Sequence, residues 1–417
     1  MTPIPAPITR SACLGLDAQD PLAACRERFS LPDGVIYLDG NSLGAMPRAV
    51  PQRMRQAIEQ EWAVGLIRSW NDAGWYPAPQ RVGARIAQLV GAKEREVIVA
   101  DSTTVNLFKL LVAALRMRPG RSLILGEDGN FPTDVYIAGG VAELTGTRFE
   151  AVAPEQVLSS LTSEVAVLNL THVNYKSGQR YDMAAITQRA HEVGALVIWD
   201  LAHTAGAMDC ELNACDADFA VGCGYKYLNG GPGAPAFAFV AERHHAALRQ
   251  PLTGWHGHAR PFEFSQAYEP APGVDHLLVG TAPQLSLIAL EAALSAFDGV
   301  DMRLLRRKSE SLTDLFIRLV DQEVTAAWPA FGLATPREAG QRGSQVSLTH
   351  EQGYAIVQAL IARGVIGDFR APNMLRFGFA ALYLRHAEVW DAVAALKDIM
   401  ATRAWAAPEF MARKAVT

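Results

Sequence analysis

Residues 195–233 read ALVIWDLAHTAGAMDCELNACDADFAVGCGYKYLNGGPG. Two apolar runs of strand length, ALVIW and FAVGC, each break into polar residues. Asp200-Leu201-Ala202-His203 follows the first, and Tyr225-Lys226-Tyr227 follows the second. Working outward, similar runs stand at 97–100 (VIVA), 122–125 (SLIL), 165–170 (VAVLNL) and 236–240 (AFAFV). Helical stretches at 104–117, 132–144 and 184–193 lie between several of them. Strands alternating with helices predict an α/β domain with a mainly parallel sheet. Ligands of such sheets bind beyond the C-terminal ends of the strands, so the polar residues there are the first candidates. After about residue 285 the texture changes to long helical patterns (285–297, 301–321, 351–363, 386–403) with few strands. A second, smaller α+β domain is expected over 286–417. The large α/β domain is placed at 50–285, with an N-terminal segment at 1–49. Within that segment, 1–34 is Pro-rich and weakly patterned, and Val35–Leu38 meets the turn signal Asp39-Gly40-Asn41-Ser42. Residues 47–64 read as an amphipathic helix with Pro near its start.

With 417 residues, 50% hydrophobic and 19% charged, the chain is not disordered and has room for two or three cores. A net charge of −5 argues against nucleic acid as a partner. A small anionic substrate remains open, because local positive charge can sit inside an acidic protein. No stretch reaches the roughly 18 apolar residues of a membrane helix, and the N-terminus lacks the pattern of a secretory signal. Five cysteines are too few and too scattered for a disulfide framework. A cytoplasmic protein with reduced thiols is the expectation.

Lys226 lies between an apolar strand and a Gly-rich loop. Burial favours the neutral amine, which acts as nucleophile or base; the ordinary reading is a surface lysine with a buried stem. Asp200 ends a strongly apolar strand and needs a partner. A helix N-cap would satisfy it, and so would a cationic ring nitrogen such as the pyridinium of pyridoxal phosphate. His203 could stack on or hydrogen-bond the same cofactor, though a structural histidine is the commoner case. Ser102-Thr103-Thr104 opens a helix whose N–H groups and dipole suit a phosphate; capping alone would also explain one hydroxyl. Together these look like a fold-type I pyridoxal-phosphate enzyme, aminotransferase class V-like.

Sharper words follow in order: Leu38-Asp39-Gly40-Asn41-Ser42-Leu43-Gly44, Thr104-Val105-Asn106-Leu107, Phe131-Pro132-Thr133-Asp134, Asp200-Leu201-Ala202-His203, Tyr225-Lys226-Tyr227-Leu228-Asn229, Gly254-Trp255-His256-Gly257-His258 and Leu375-Arg376-Phe377-Gly378-Phe379. From about residue 35 onward the chain resembles the kynureninase family. The resemblance implies hydrolysis of L-kynurenine at its Cβ–Cγ bond to anthranilate and L-alanine, in tryptophan catabolism. It implies that Lys226 carries the cofactor as a Schiff base and that Asp200 pairs with the pyridine nitrogen. Phe131 would stack on the ring, with Asp134 close by. Thr103, Thr104, His203 and Tyr225 would line the cofactor, and Thr171 matches a further contact. Trp255 and Thr281 match positions that reach the phosphate from a neighbouring subunit, which implies a homodimer with shared sites. Arg376 matches the residue that clamps the substrate carboxylate. Tyr225 is the expected general acid at Cβ. Ser42, Trp70 and Trp75 are candidates for the substrate pocket, with the N-terminal segment contributing to it. Trp70 stands where the animal enzymes that prefer 3-hydroxykynurenine have His, so plain kynurenine is the expected better substrate; a simple packing role fits Trp70 equally.

Another enzyme of the same fold is the first rival. A cysteine desulfurase needs a thiol on a loop after the Schiff-base lysine, and the last cysteine here, Cys223, precedes Lys226. An aminotransferase would use Lys226, Asp200 and Arg376 equally well. A silent cofactor-binding regulatory protein would normally lack Lys226 or Asp200. No metal is expected: His256 and His258 supply two ligands and nothing completes a site. His244-His245 read as surface, Cys210, Cys215 and Cys223 as buried thiols, and Gly230-Gly231-Pro232-Gly233 as a turn beside Lys226. Arg303, Arg306, Arg307 and Lys308, on a segment shared with Asp301 and Glu310, read as a solvated helix face.

Overall fold

The computed structural model describes residues 7–413. In chain order the strands are β1 (Ile36–Tyr37), β2 (Val97–Val99), β3 (Leu123–Glu127), β4 (Arg148–Val152), β5 (Val165–Thr171), β6 (Leu196–Asp200) and β7 (Phe219–Cys223). They continue with β8 (Ala236–Val240), β9 (Gly332–Leu333), β10 (Gln345–Thr349), β11 (Val365–Ile366), β12 (Asp368–Arg370) and β13 (Met374–Gly378). Two compact units result. The larger holds Ala49–Tyr175 and Tyr181–Ser295; the other holds the described residues up to Arg48, Lys176–Arg180 and those from Ala296 on.

The larger unit is built on a seven-stranded sheet of order β2-β8-β7-β6-β5-β3-β4. Only β8 runs against the others. Strands β5, β6, β7 and β8 are buried at every residue. A parallel sheet covered on both faces needs such continuous apolar runs. Leu107, Leu110, Leu111 and Ala114 of helix Thr103–Arg116 join Ile198, Phe219 and Val221 in its core. That helix begins where the Ser102 hydroxyl accepts from the Val105 amide. Helix Pro132–Thr145 starts with Pro and stops at Gly146, whose φ of 69° is left-handed.

The helix expected over 47–64 is α-helical only over Ala49–Gln56 and continues as π-helix over Ala57–Gly65. The Ser69 hydroxyl takes up the Glu61 carbonyl there at 2.6 Å, the kind of insertion that opens an α-helical ladder.

In the other unit an antiparallel sheet of order β12-β13-β10-β9 stands beside the parallel pair β1-β11. The weakly patterned N-terminal stretch contains a helix, Arg10–Ala18. Its stability comes from far along the chain. Arg10 pairs with Asp391 at 2.7 Å, and the Asp17 carboxylate accepts from the amides of His386 and Ala387, capping helix His386–Thr402. The basic cluster on helix Met302–Val320 corrects the solvated-face reading. Arg303 and Arg307 are exposed, but Arg306 and Lys308 are buried. Arg306 donates to the Ala339 and Arg342 carbonyls, and Lys308 pairs with Asp20 at 2.7 Å.

Candidate active site

The C-terminal ends of β2, β3, β5, β6 and β7, with the start of β8, surround a cavity of about 520 Å³ in the larger unit. Its wall carries Thr103, Thr104, Phe131, Asp134, Thr171, Asp200, His203, Tyr225 and Lys226. Thr171 and Asp200 are the last residues of β5 and β6, Asp134 lies in the first turn of helix Pro132–Thr145, and the others follow strand ends, where side chains leave the sheet's packing and turn toward ligand.

Lys226 is half-buried, and its Nζ lies 3.0 Å from His203 Nε2. It also stands 5.7 Å from the centre of the Phe131 ring and 5.9 Å from that of Tyr225. Phe131 meets Tyr175 edge to face at 5.1 Å. Asp200 is buried and accepts from the Ala202 amide at 2.7 Å, a bond within its own turn and not a helix cap. Burial pushes its carboxyl above the usual range, and Lys226 opposes that. Asp134 is buried, and among the described residues neither of its carboxylate oxygens has a hydrogen-bond partner. Burial, and next the Asp200 carboxylate, raise it well above an ordinary Asp. Two buried carboxylates raised in this way favour a cation or a further strong donor beside them.

At the other end, Ser102, Thr103 and Thr104 line the cavity at the start of a fourteen-residue helix, a terminus that receives anions. Thr171 donates to Asn130 Oδ1 at 2.7 Å, and that oxygen also accepts from the Phe131 amide, which fixes the loop carrying Phe131. A pyridine ring with an aldehyde and a phosphate fits this set: a cation-seeking pair of carboxylates, an amine, an aromatic wall and an anion-receiving terminus.

Trp255 and Thr281 do not line the cavity; both are exposed, Trp255 at 40%. Trp255 stacks on His256 at 5.0 Å. Trp70 and Trp75 are half-buried and meet edge to face at 6.2 Å, and Trp75 Nε1 donates to Glu61 at 2.8 Å. Ser42 and Arg376 belong to the other unit, where they meet. Arg376 Nη2 donates to Ser42 Oγ at 2.8 Å, and Arg376 Nε to Asp368 at 2.8 Å. Ser42 in turn donates to Asp368 at 2.6 Å. Burial is the largest single influence on Asp368 and works against its ionised form, but the hydrogen bond and charge of Arg376, with Arg370 and Ser42, together hold the carboxyl below the usual range.

Asp368 was not visible beforehand. It faces Arg376 only through the register of β12 against β13, in a region whose sequence shows few strands. Asp101 and Cys223 also line the cavity. Asp101 could have been suspected as the residue before Ser102, and Cys223 from its place at the end of β7. His244 is half-buried, not a surface residue: its Nε2 meets the buried Asp218 at 2.7 Å, as does that of His191 at 2.9 Å. His256 and His258 are buried against the carbonyls of Gly280 and Ala267. Among the described residues, no helix is long and apolar enough to cross a membrane.

Among solved structures, the cysteine desulfurase CsdA of Escherichia coli is similar to this chain with a TM-score of 0.74 at 21% identity, covering 91% of this chain and 98% of that one. A cysteine desulfurase from Thermococcus onnurineus NA1 gives 0.76 at 18% identity over the same shares. At such identity the likeness is one of fold: the α/β architecture of fold-type I enzymes. A family model described as the kynureninase C-terminal domain matches residues 305–396. A kynureninase of Burkholderia mallei (strain SAVP1) is 52% identical over 98% of this chain and the whole of that protein. A kynureninase of Pseudomonas fluorescens is 51% identical over the same shares. With that identity from end to end, the chain belongs to the kynureninase family.

Proposed function

We propose that the protein hydrolyses L-kynurenine at the Cβ–Cγ bond, giving anthranilate and L-alanine, with pyridoxal 5'-phosphate held in the cavity. The observation that carries this reading is Lys226 beside His203 in one cavity with Asp134 and Asp200, in a chain 52% identical over its length to a kynureninase. The desulfurase neighbours share the fold, but Cys223, the last cysteine, precedes Lys226, so no thiol follows on a later loop.

When bound, the cofactor supplies an aldehyde that captures an amine and a ring that stores the electron pair left at Cα. Lys226 is the amine that holds it. With substrate bound, the Lys226 amine would take the Cα proton, with His203 within hydrogen-bond reach. Asp200 would hold the ring nitrogen protonated, with Asp134 beside it on the same wall. Thr103, Thr104 and Tyr225 hold the phosphate end, and Phe131 covers the ring. Tyr225 delivers the proton to Cβ. Arg376, fixed by Asp368 and Ser42, takes the substrate carboxylate, for which a planar guanidinium is suited. Trp70 and Trp75 offer aromatic surface to the aryl group, and plain kynurenine is the preferred substrate. The active form is a cytoplasmic homodimer in which Trp255 and Thr281 serve the neighbour's site; their exposure here supports that reading.

The test is an absorbance and fluorescence assay of the protein with pyridoxal phosphate and L-kynurenine, with Lys226→Ala as control. Loss of kynurenine matched by anthranilate, and absent in the control, is the expected result. A cofactor-loaded protein that leaves kynurenine intact, or that forms a keto acid, overturns the reading in favour of an aminotransferase.

A further inference from the structure

We propose that the buried Lys109 is a positioning residue that masks the Asp101 carboxylate on the cavity wall, so that this end accepts an anionic phosphate. The inference rests on the reading above that the cofactor's phosphate lies at the start of helix Thr103–Arg116.

Asp101 has a φ of +46°, in the left-handed region that few residues other than Gly, Asn and Asp enter. Its backbone is pinned. The Asp101 carbonyl accepts from the Ala236 amide at 2.9 Å, and the neighbouring Ala100 carbonyl accepts from Asn106 Nδ2 at 2.7 Å. The turn therefore sets the Asp101 side chain, about one-third exposed, on the same wall as Ser102, Thr103 and Thr104. A bare carboxylate at that point repels any phosphate the helix terminus would attract. Lys109 answers it from inside the same helix. The residue is fully buried, its ammonium pairs with Asp101 Oδ2, and it donates to the Leu277 carbonyl at 2.6 Å. Burial draws the Lys109 pKa down, and Asp101 pulls it back.

A left-handed turn needs no charge, since Gly or Asn would form it. A buried ion pair is also a poor source of stability compared with apolar packing. The pair therefore calls for another use, and its place on the wall supplies one. Lys109 also ties the turn to the strap after Leu277, which leads to Pro283 on the same cavity.

The test compares two probes on the apoprotein: pyridoxal phosphate, and pyridoxal, which has the same ring and aldehyde but no phosphate. Affinity is read by absorbance and fluorescence titration. Lys109→Met unmasks the carboxylate, so affinity for pyridoxal phosphate falls by about thirty-fold or more while that for pyridoxal stays within about three-fold. Adding Asp101→Asn to Lys109→Met removes the charge and brings pyridoxal phosphate back to within about three-fold of the wild type. A merely structural pair would weaken both probes together and gain nothing from the second change; either result overturns the proposal. Should Lys109→Met lose its fold by circular dichroism, Asp101→Asn alone decides, since Asn enters the left-handed region. It should bind pyridoxal phosphate at least as tightly as the wild type, and weakening beyond about three-fold overturns the proposal. Failure of the underlying cofactor reading has its own signature: the wild type would bind both probes alike, and inorganic phosphate would not compete. That outcome removes the proposal together with its premise.

Discussion

Tyr225 sits two residues beyond the buried Cys223 and next to Lys226 on the cavity wall. Burial first, and then the neighbouring Cys223 and Asp200, push its phenol further above its ordinary value. It therefore holds its proton throughout the physiological range, as a general acid must. Tyr225→Phe keeps the ring and removes that proton. At saturating cofactor, turnover should fall by about 10²–10⁴-fold; full activity in this variant rules out the role. Asp39 makes a different kind of prediction. Burial and the Asp368 carboxylate raise it to about 7, against the pull of Ser42, Arg376 and Arg370. An acid raised from its ordinary 3.8 binds its proton more tightly in the folded chain than in the unfolded one. Its contribution to stability is therefore fullest at low pH and is lost as pH rises through about 7. Asp39→Asn abolishes that loss, so its stability relative to the wild type should improve between pH 5 and pH 8 by on the order of 2 kcal/mol. Urea denaturation at the two pH values reads it, and a difference independent of pH refutes the assignment.

At the scale of elements, close approach overrides local preference. Gly83 lies within helix Ala78–Leu89, where a Cβ would stand 2.3 Å from the Val97 carbonyl oxygen and 3.0 Å from Ile98 Cα. Helix propensity alone favours Gly83→Ala by up to about 1 kcal/mol. Overpacking against the rigid β2 backbone should reverse the sign and cost about 1–3 kcal/mol, seen as a lower Tm; a raised Tm would show that the helix can withdraw from β2. The same contrast explains what the sequence discloses. Strands β7 and β8 are legible residue for residue, because burial on both faces demands an unbroken apolar run. Edge strand β4, RFEAV, is mostly exposed and carries no such run. Helix Arg10–Ala18 carries a Gly and is held by Asp391 and the His386 amide, partners that no local window contains. Residues around the cavity were legible because they follow apolar runs directly, and the order of the strands then gathers them. Asp368 was not, since its meaning depends on a register and not on its neighbours in sequence.

At the scale of the whole molecule, the large side chains left uncovered on the larger unit include several from two short stretches. Trp62, Val64, Leu66 and Ile67 are 57–77% exposed around the end of the π-helix, and Phe262 and Phe264 are 63% and 76% exposed after Trp255. Apolar clusters of this kind suit association. A symmetric dimer, in which the same surface serves both partners, would cover them and carry Trp255 and Thr281 into a neighbour's cavity. The arrangement can be tested without a structure of the pair. Lys226→Ala and Trp255→Ala each disable a site, but on different subunits if the site is shared. A dimer of one chain of each kind then keeps one intact site, with Lys226 from one chain and Trp255 from the other. Unfolding and refolding the two inactive proteins together in equal amounts yields such mixed dimers as half of the product, and so about a quarter of wild-type activity. Sites built within single subunits would regain nothing on mixing, and a particle with the mass of one chain by light scattering would end the dimer reading altogether.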